Sequence, residues 1–158
     1  MSLVESIKKL AIRLTGTQAR VSVIPRHFVL NEPLEVSVAV EVHEEEFEIR
    51  SAYLLIRGVR ESTIIDADKD GKPGPPRVKR EEFFQQKVDF LDYKLFKARE
   101  KHSYTLKFEL DDGIREFSNE AGNKVYYELL AGLDVLGNDP GSSWVLVSQE
   151  IKQQRRLR

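Results

Sequence analysis

The chain has 158 residues, of which 41% are hydrophobic and 32% are charged, and its formal net charge is −1. A chain of this length and composition can bury enough apolar surface to fold as one globular domain. The near-zero net charge excludes a whole-protein field that would attract nucleic acid. The chain contains no cysteine, which excludes disulfides, thiolate nucleophiles and cysteine-ligated metal sites. We therefore expect no nucleic-acid partner and no cofactor.

The sequence contains no candidate for a membrane-spanning helix or a signal peptide. No apolar run approaches the roughly 20 residues that a helix needs to cross a bilayer. Lys8, Lys9 and Arg13 interrupt the stretch in which a signal peptide would have its apolar core. We therefore expect a cytoplasmic protein.

Residues 2–15, SLVESIKKLAIRLT, predict a short amphipathic helix, so that residues 1–16 form a helical unit ahead of the main domain. Its apolar side chains recur at helical spacing, at Leu3, Ile7, Leu10 and Leu14. Ser2 and Glu5 have the spacing of a capping box, and Gly16 is a stop signal. Because cations flank the apolar stripe, two uses stay open: docking on the domain's own core or open end, or contact with a membrane surface or a partner's groove.

After Gly16 the hydrophobic period changes to two. LEVSVAVEV, residues 34–42, and SYTLKFEL, residues 103–110, alternate apolar and polar side chains as half-buried antiparallel strands do. Shorter or less regular strands are predicted near 19–24, 49–59, 83–91, 124–135 and 143–151, with turn residues between them. The sequence therefore predicts an all-β fold. Residues 17–151 form a single two-sheet antiparallel β-sandwich of the immunoglobulin-like class, followed by a basic tail at 152–158.

Two charge runs fall at predicted ends of elements. Glu44, Glu45 and Glu46 lie where one strand turns into the next, which indicates a solvated loop. Residues 152–158 carry four cations, which fits either a frayed tail or a segment that contacts an acidic partner or lipid headgroups.

Residues 64–76, IIDADKDGKPGPP, begin like a calcium loop, because Asp66, Asp68 and Asp70 alternate and Gly71 follows. Position 12 of such a loop needs a bidentate carboxylate, but here it is Arg77. The flanking segments also have the pattern of strands rather than of helices. A hairpin tip is therefore the favoured interpretation, and a calcium site at the three aspartates, which would make the domain a calcium-stabilised structural sandwich, is the alternative.

The residue types that most often act in catalysis are not spaced as in known catalytic motifs. His27, His43 and His102 are scattered, and the chain has neither a nucleophile elbow nor a phosphate-binding glycine loop. Carboxylate pairs do occur, Asp111 with Asp112 and Asp134 with Asp139. A carboxylate-based enzyme therefore stays open as a second alternative, which requires two acids across a cleft with displaced pKa values.

Several strands and turns resemble those of the arrestin-like superfamily. FVLNEPLEVSVAVEV, residues 28–42, resembles its opening turn and long alternating strand, and IRSAYLLIRGVRES, residues 49–62, resembles the next strand. KAREKHSYTLKFEL, residues 97–110, and NKVYYELLAGLDVLGNDPGSSWVLV, residues 123–147, are similar to later strands and their polar turn. Within that superfamily, the N-terminal helix and the ending from Leu133-Asp134 to Asp139-Pro140 are most similar to the bacterial sporulation-control proteins.

The resemblance implies a non-enzymatic scaffold with a regulatory role in bacteria, which binds other proteins through sheet edges, loops or a sheet face. It also implies that an edge strand could pair with a second copy of the chain. Arrestin-like proteins usually contain two such sandwiches in tandem, whereas this chain has the length of one. No residue of an interdomain charge switch is therefore carried over.

Overall fold

The computed structural model describes residues 3–4, 17–29, 31–113, 118–120 and 122–147. In these ranges the chain forms ten strands. They are β1 Ala19–His27, β2 Leu34–Val42, β3 Phe47–Ile49, β4 Ser51–Ile64, β5 Arg77–Leu91, β6 Lys94–Phe96, β7 Lys101–Phe108, β8 Ser118–Glu120, β9 Asn123–Asp134 and β10 Val145–Val147. The predicted all-β class is confirmed. Apart from Leu3 and Val4, the predicted helix lies outside the described residues, and so does the basic tail at 152–158.

Two antiparallel sheets face each other across one core, as the sequence predicts. The smaller sheet has the strand order β1-β2-β7, and the larger has the order β10-β9-β4-β5, with β8 pairing the far end of β9. Strands β3 and β6 form a separate two-stranded ribbon. All of the described pairings are antiparallel, both between consecutive strands such as β4 and β5 and between strands far apart in the chain such as β2 and β7.

The core forms because alternate residues of the central strands point into the space between the sheets. Along β2, the five apolar residues from Leu34 to Val42 are at most 2% exposed, whereas Ala39 and Glu41 face solvent. Tyr127 on β9 is completely buried, and its ring centroid lies 4.8 Å from that of Phe28. Burial of side chains this large contributes about 1.5–3 kcal/mol each, so these strands dominate the stability of the domain.

The strands differ from the predicted ones in two ways: the β4–β5 hairpin is longer, and some short strands were not predicted. Strand β4 extends to Ile64 and β5 begins at Arg77, so their hairpin is longer than the hydrophobic pattern indicated. Strands β3, β6 and β8 have three residues each. A strand of that length is too short to show a period in the sequence, and only its pairing with a neighbour defines it.

Candidate interaction edge

Strand β5 lies at an edge of the larger sheet. It is 15 residues long and pairs with β4 from Ile64↔Arg77 to Ala52↔Leu91. No other described strand pairs with its outer side. An edge strand presents a row of backbone N–H and C=O groups that an added strand can bind, so β5 is a site at which the sheet can be extended.

Two bulges interrupt β5 and confine the regular part of this edge. The register shifts between Gly58 and Val59 and again between Ala52 and Tyr53, so that Phe83 and Phe90 are extra residues in β5. Between the bulges, residues 84–89 pair regularly with β4. Because a bulge bends and twists its strand, this six-residue stretch is where the edge can accept a regularly paired strand.

The first bulge is built into the core and is therefore held in place. The ring of Phe83 packs over Gly58 so closely that a Cβ at Gly58 would lie 2.6 Å from the ring. Phe83 and Phe84 both present their rings edge-on to Tyr127, at centroid distances of 6.0 and 6.5 Å. Glycine at position 58 thus allows two successive phenylalanines to face the same buried tyrosine.

A partly buried apolar row, here called the seam, runs along the side of the sandwich between β5 and β7. Its members pack against the core but keep some exposure, and they are Phe83, Val88, Phe90, Leu91, Tyr104, Leu106, Phe108 and Leu110. The rings of Phe90 and Tyr104 lie 5.7 Å apart across the seam. A hydrogen bond also crosses the seam: the backbone N–H of Asp111 donates to Gln86 Oε1 at 2.9 Å. The seam therefore holds β5 beside β7 while leaving apolar surface next to the free edge.

A charged network fixes β5 to the rest of the larger sheet on its outer face. Glu128 of β9 has a side chain only 11% exposed and accepts hydrogen bonds from Arg80 at 2.6 Å and from Arg57 at 3.3 Å. The guanidinium of Arg57 also lies 3.8 Å from the ring centroid of Trp144. The two guanidinium groups compensate the charge of the Glu128 carboxylate. The network of Glu128, Arg57 and Arg80 therefore joins β9, β4 and β5.

The aspartates of the possible calcium loop lie at the tip of the β4–β5 hairpin. Asp68 Oδ1 accepts hydrogen bonds from the backbone N–H groups of Asp70 and Lys72, at 2.9 and 2.8 Å. Asp66 forms a 2.9 Å ion pair with Arg77, the residue at position 12 of the loop pattern. The side chains thus carry out the turn-forming role that the sequence favours, and the calcium site stays the alternative interpretation.

The histidines and carboxylate pairs singled out in the sequence lie in separate places. His43 Nδ1 is 2.7 Å from the carbonyl oxygen of Thr17, and the ring of His102 lies 5.1 Å from that of Phe96. Asp134 pairs with Arg50 at 2.8 Å, and Asp139 accepts a 2.8 Å hydrogen bond from the Tyr53 hydroxyl. Within the described ranges, no group of three or more histidines and acids is arranged to hold a metal ion.

The remaining histidine, His27, and the remaining carboxylate pair, Asp111 with Asp112, lie at or just beyond the ends of strands. His27 pairs with Glu32 in the turn between β1 and β2. Asp111 and Asp112 are both exposed and follow β7, where only the backbone of Asp111 takes part in the seam. In the described part of the chain, no helix is long and apolar enough to cross a membrane.

Sequence reasoning missed the Arg57, Arg80 and Glu128 network, because its members come from three strands whose register the sequence does not show.

No protein-family model and no curated protein matches this chain. Among solved structures, it is similar to Spo0M, the sporulation control protein of Bacillus subtilis, with a TM-score of 0.54 and 16% sequence identity over 88% of this chain. The two proteins share a fold. This chain spans 54% of the Spo0M chain. The expected resemblance to a bacterial sporulation-control protein is therefore confirmed for the fold alone.

Proposed function

We propose that this chain is a non-enzymatic, cytoplasmic protein-interaction module with a regulatory role in bacteria, which binds through the outer edge of β5. The observation that carries the proposal is the regular stretch at residues 84–89, paired on one side only and flanked by the seam. The similarity to a sporulation control protein supports a regulatory role, and the charges along β5 favour a second copy of the chain as the partner.

The charge pattern of β5 is self-complementary. In an antiparallel pair related by a two-fold axis perpendicular to the sheet, opposite residues must lie on the same face. If Val88 faces Val88 of the second copy, residues 87–89 of both copies pair within the regular stretch, and Lys87 lies opposite Asp89 on both sides of the axis. Both side chains are on the outer face and more than half exposed, and within one chain they lie 3.9 Å apart as a loose ion pair. Opposite charges directly across a strand pair stabilise it, whereas like charges destabilise it.

The test is a charge swap at this edge, with the oligomeric state measured by sedimentation velocity over a range of protein concentrations. We expect the wild-type chain to self-associate, and we expect Lys87→Glu or Asp89→Lys alone to weaken association at least fivefold, because each places like charges opposite each other. The double variant Lys87→Asp, Asp89→Lys restores the opposite pairing and should recover association.

Lys69→Glu in the hairpin tip is the matched control, since it makes the same charge change at an exposed position away from the edge. It should associate as the wild type does. A wild-type chain that remains monomeric at high concentration, or single variants that associate as strongly as the wild type, would contradict self-association through β5.

A further inference from the structure

A second surface lies at the end of the sandwich where the chain enters β1. An open cavity of about 380 Å³ is lined there by the β3–β6 ribbon, the residues that follow β9 and Gln18. Its apolar walls include buried Phe47 and Val135 and the exposed side chains of Leu95 and Leu136, of which Leu136 is 78% exposed. A neighbouring depression of about 620 Å³ also has Gln18 in its lining, and the two depressions together are here called the end groove.

The end groove has an acidic rim. Glu46 and Glu48 line the smaller cavity, and Glu44 and Glu45 line the neighbouring depression, where Arg99 and Lys101 are the cations. A groove with an apolar floor and a rim of glutamates has the chemistry to bind an amphipathic helix that carries cations beside its apolar stripe.

One polar atom in the groove wall lacks a partner. Gln18 is 4% exposed, and within the described part of the chain its Oε1 atom accepts no hydrogen bond. A buried acceptor without a donor costs about 1–3 kcal/mol, so Gln18 is a point at which the described part of this end of the sandwich is incompletely satisfied.

The charge and the apolar side chains of residues 5–16 complement the end groove, and this segment is joined to the chain beside it. They connect directly to Thr17, which lines the larger depression. Over residues 2–15, the three cations Lys8, Lys9 and Arg13 exceed the single acid Glu5, which gives a net charge of +2. Ile7, Leu10 and Leu14 form the adjoining part of the apolar stripe, whereas Leu3 and Val4, further along, are exposed. If residues 7–16 adopt the helix that their spacing predicts, they span about 15 Å.

We infer that the end groove is the binding site for the chain's own N-terminal segment. Ile7, Leu10 and Leu14 pack against Leu95 and Leu136, and the lysines and arginine of the segment face the glutamates of the rim. The charge complementarity and the direct connection at Thr17 favour this occupant over a second copy, because a tethered segment binds at a high effective concentration.

The absence of cysteine makes disulfide trapping in the full-length chain a direct test. Ile7→Cys, Leu10→Cys and Leu14→Cys are each combined with Leu136→Cys, which replaces an exposed side chain. After mild oxidation at low protein concentration, non-reducing electrophoresis and peptide mass spectrometry measure the rate of bond formation within one chain. We expect at least one pair to form the bond ten times faster than its control, because a disulfide requires Cα atoms about 4.4–6.8 Å apart.

The matched controls carry the same three cysteines combined with Leu146→Cys, on a leucine 57% exposed that pairs with Glu128. Glu128 is seven residues from Val135 along β9, so this position lies about 23 Å from the groove. Replacing Glu44, Glu45 and Glu46 by Lys should slow the Leu136 reaction at least threefold. Equal rates at Leu136 and Leu146 would overturn the inference, and bonds that form only between chains would overturn it in favour of a second copy.

Discussion

Tyr53 of β4 covers Gly132 of β9 on the outer face of the larger sheet. The two residues are directly opposite each other in the register, and a Cβ at Gly132 would overlap the phenol ring. The Tyr53 hydroxyl continues past the glycine and donates a 2.8 Å hydrogen bond to Asp139 in the loop after β9. Asp139 in turn accepts a hydrogen bond from the backbone N–H of Val135. One aromatic side chain thus joins a strand pair to the loop that follows it.

We expect Gly132→Ala to destabilise the domain by about 1–3 kcal/mol, because the added methyl group displaces the ring and its hydrogen bond to Asp139. Urea denaturation followed by circular dichroism measures the change in free energy of unfolding. In a Tyr53→Leu background the methyl group meets a smaller side chain, so the same substitution should cost much less. Equal costs in both backgrounds would show that the ring is not the obstacle.

Removal of Glu128 should leave the guanidinium groups of Arg57 and Arg80 without their shared carboxylate, although Arg80 keeps a 4.0 Å contact with Glu61. We expect Glu128→Ala to lower the free energy of unfolding by about 2–4 kcal/mol; the lower end reflects the partial exposure of Arg80. Glu82→Ala on β5 removes the same kind of side chain from an exposed position and should change stability by less than about 0.5 kcal/mol. Thermal unfolding of both variants, side by side, tests the difference.

Trp144 is the only tryptophan in the chain, so its fluorescence reports the contact with Arg57. We expect Arg57→Ala to shift the emission maximum to longer wavelength and to increase quenching by acrylamide, because the ring loses the side chain that covers it. Arg80→Ala removes a different contact of Glu128 and should leave the emission of the folded protein close to that of the wild type. Identical spectra for all three proteins would contradict the stacking.

The hydroxyl of Tyr126 should affect stability at high pH. Burial, together with a 2.6 Å hydrogen bond to Glu61, raises the pKa of Tyr126 from 10.0 to about 12, although the nearby Arg80 opposes the shift. A group whose pKa is raised on folding stabilises the protein fully below its unfolded pKa. This contribution is lost as the pH rises from 10 to about 12.

The free energy of unfolding should therefore fall over that range, and it should fall less steeply in Tyr126→Phe. Denaturant titrations at several pH values measure both slopes. Ultraviolet titration of the folded wild type should also show a late-titrating tyrosine that is lost in the variant. A slope that is unchanged by the substitution would mean that the hydroxyl is not held as described.

The long alternating strands could be predicted because one face of each packs on the core and the other meets solvent. Leu34 to Val42 and Tyr104 to Phe108 show the expected alternation of exposure. The hairpin tip could also be predicted, since Asp68 forms turns through its own side chain. The bulge at Phe83 could not, because it depends on a glycine 25 residues earlier that allows the ring to approach.

The amino-acid sequence by itself determined the all-β class, the two-layer arrangement and the scarcity of catalytic spacing, because these follow from local period and residue inventory. Only the tertiary structure decided that β5 is an edge strand, that Glu128 lies between Arg57 and Arg80, and that Leu95 and Leu136 line the same cavity at one end of the sandwich. Strand order and register arise from contacts between residues far apart in the chain, and a periodic pattern contains no information about which strand will be its neighbour.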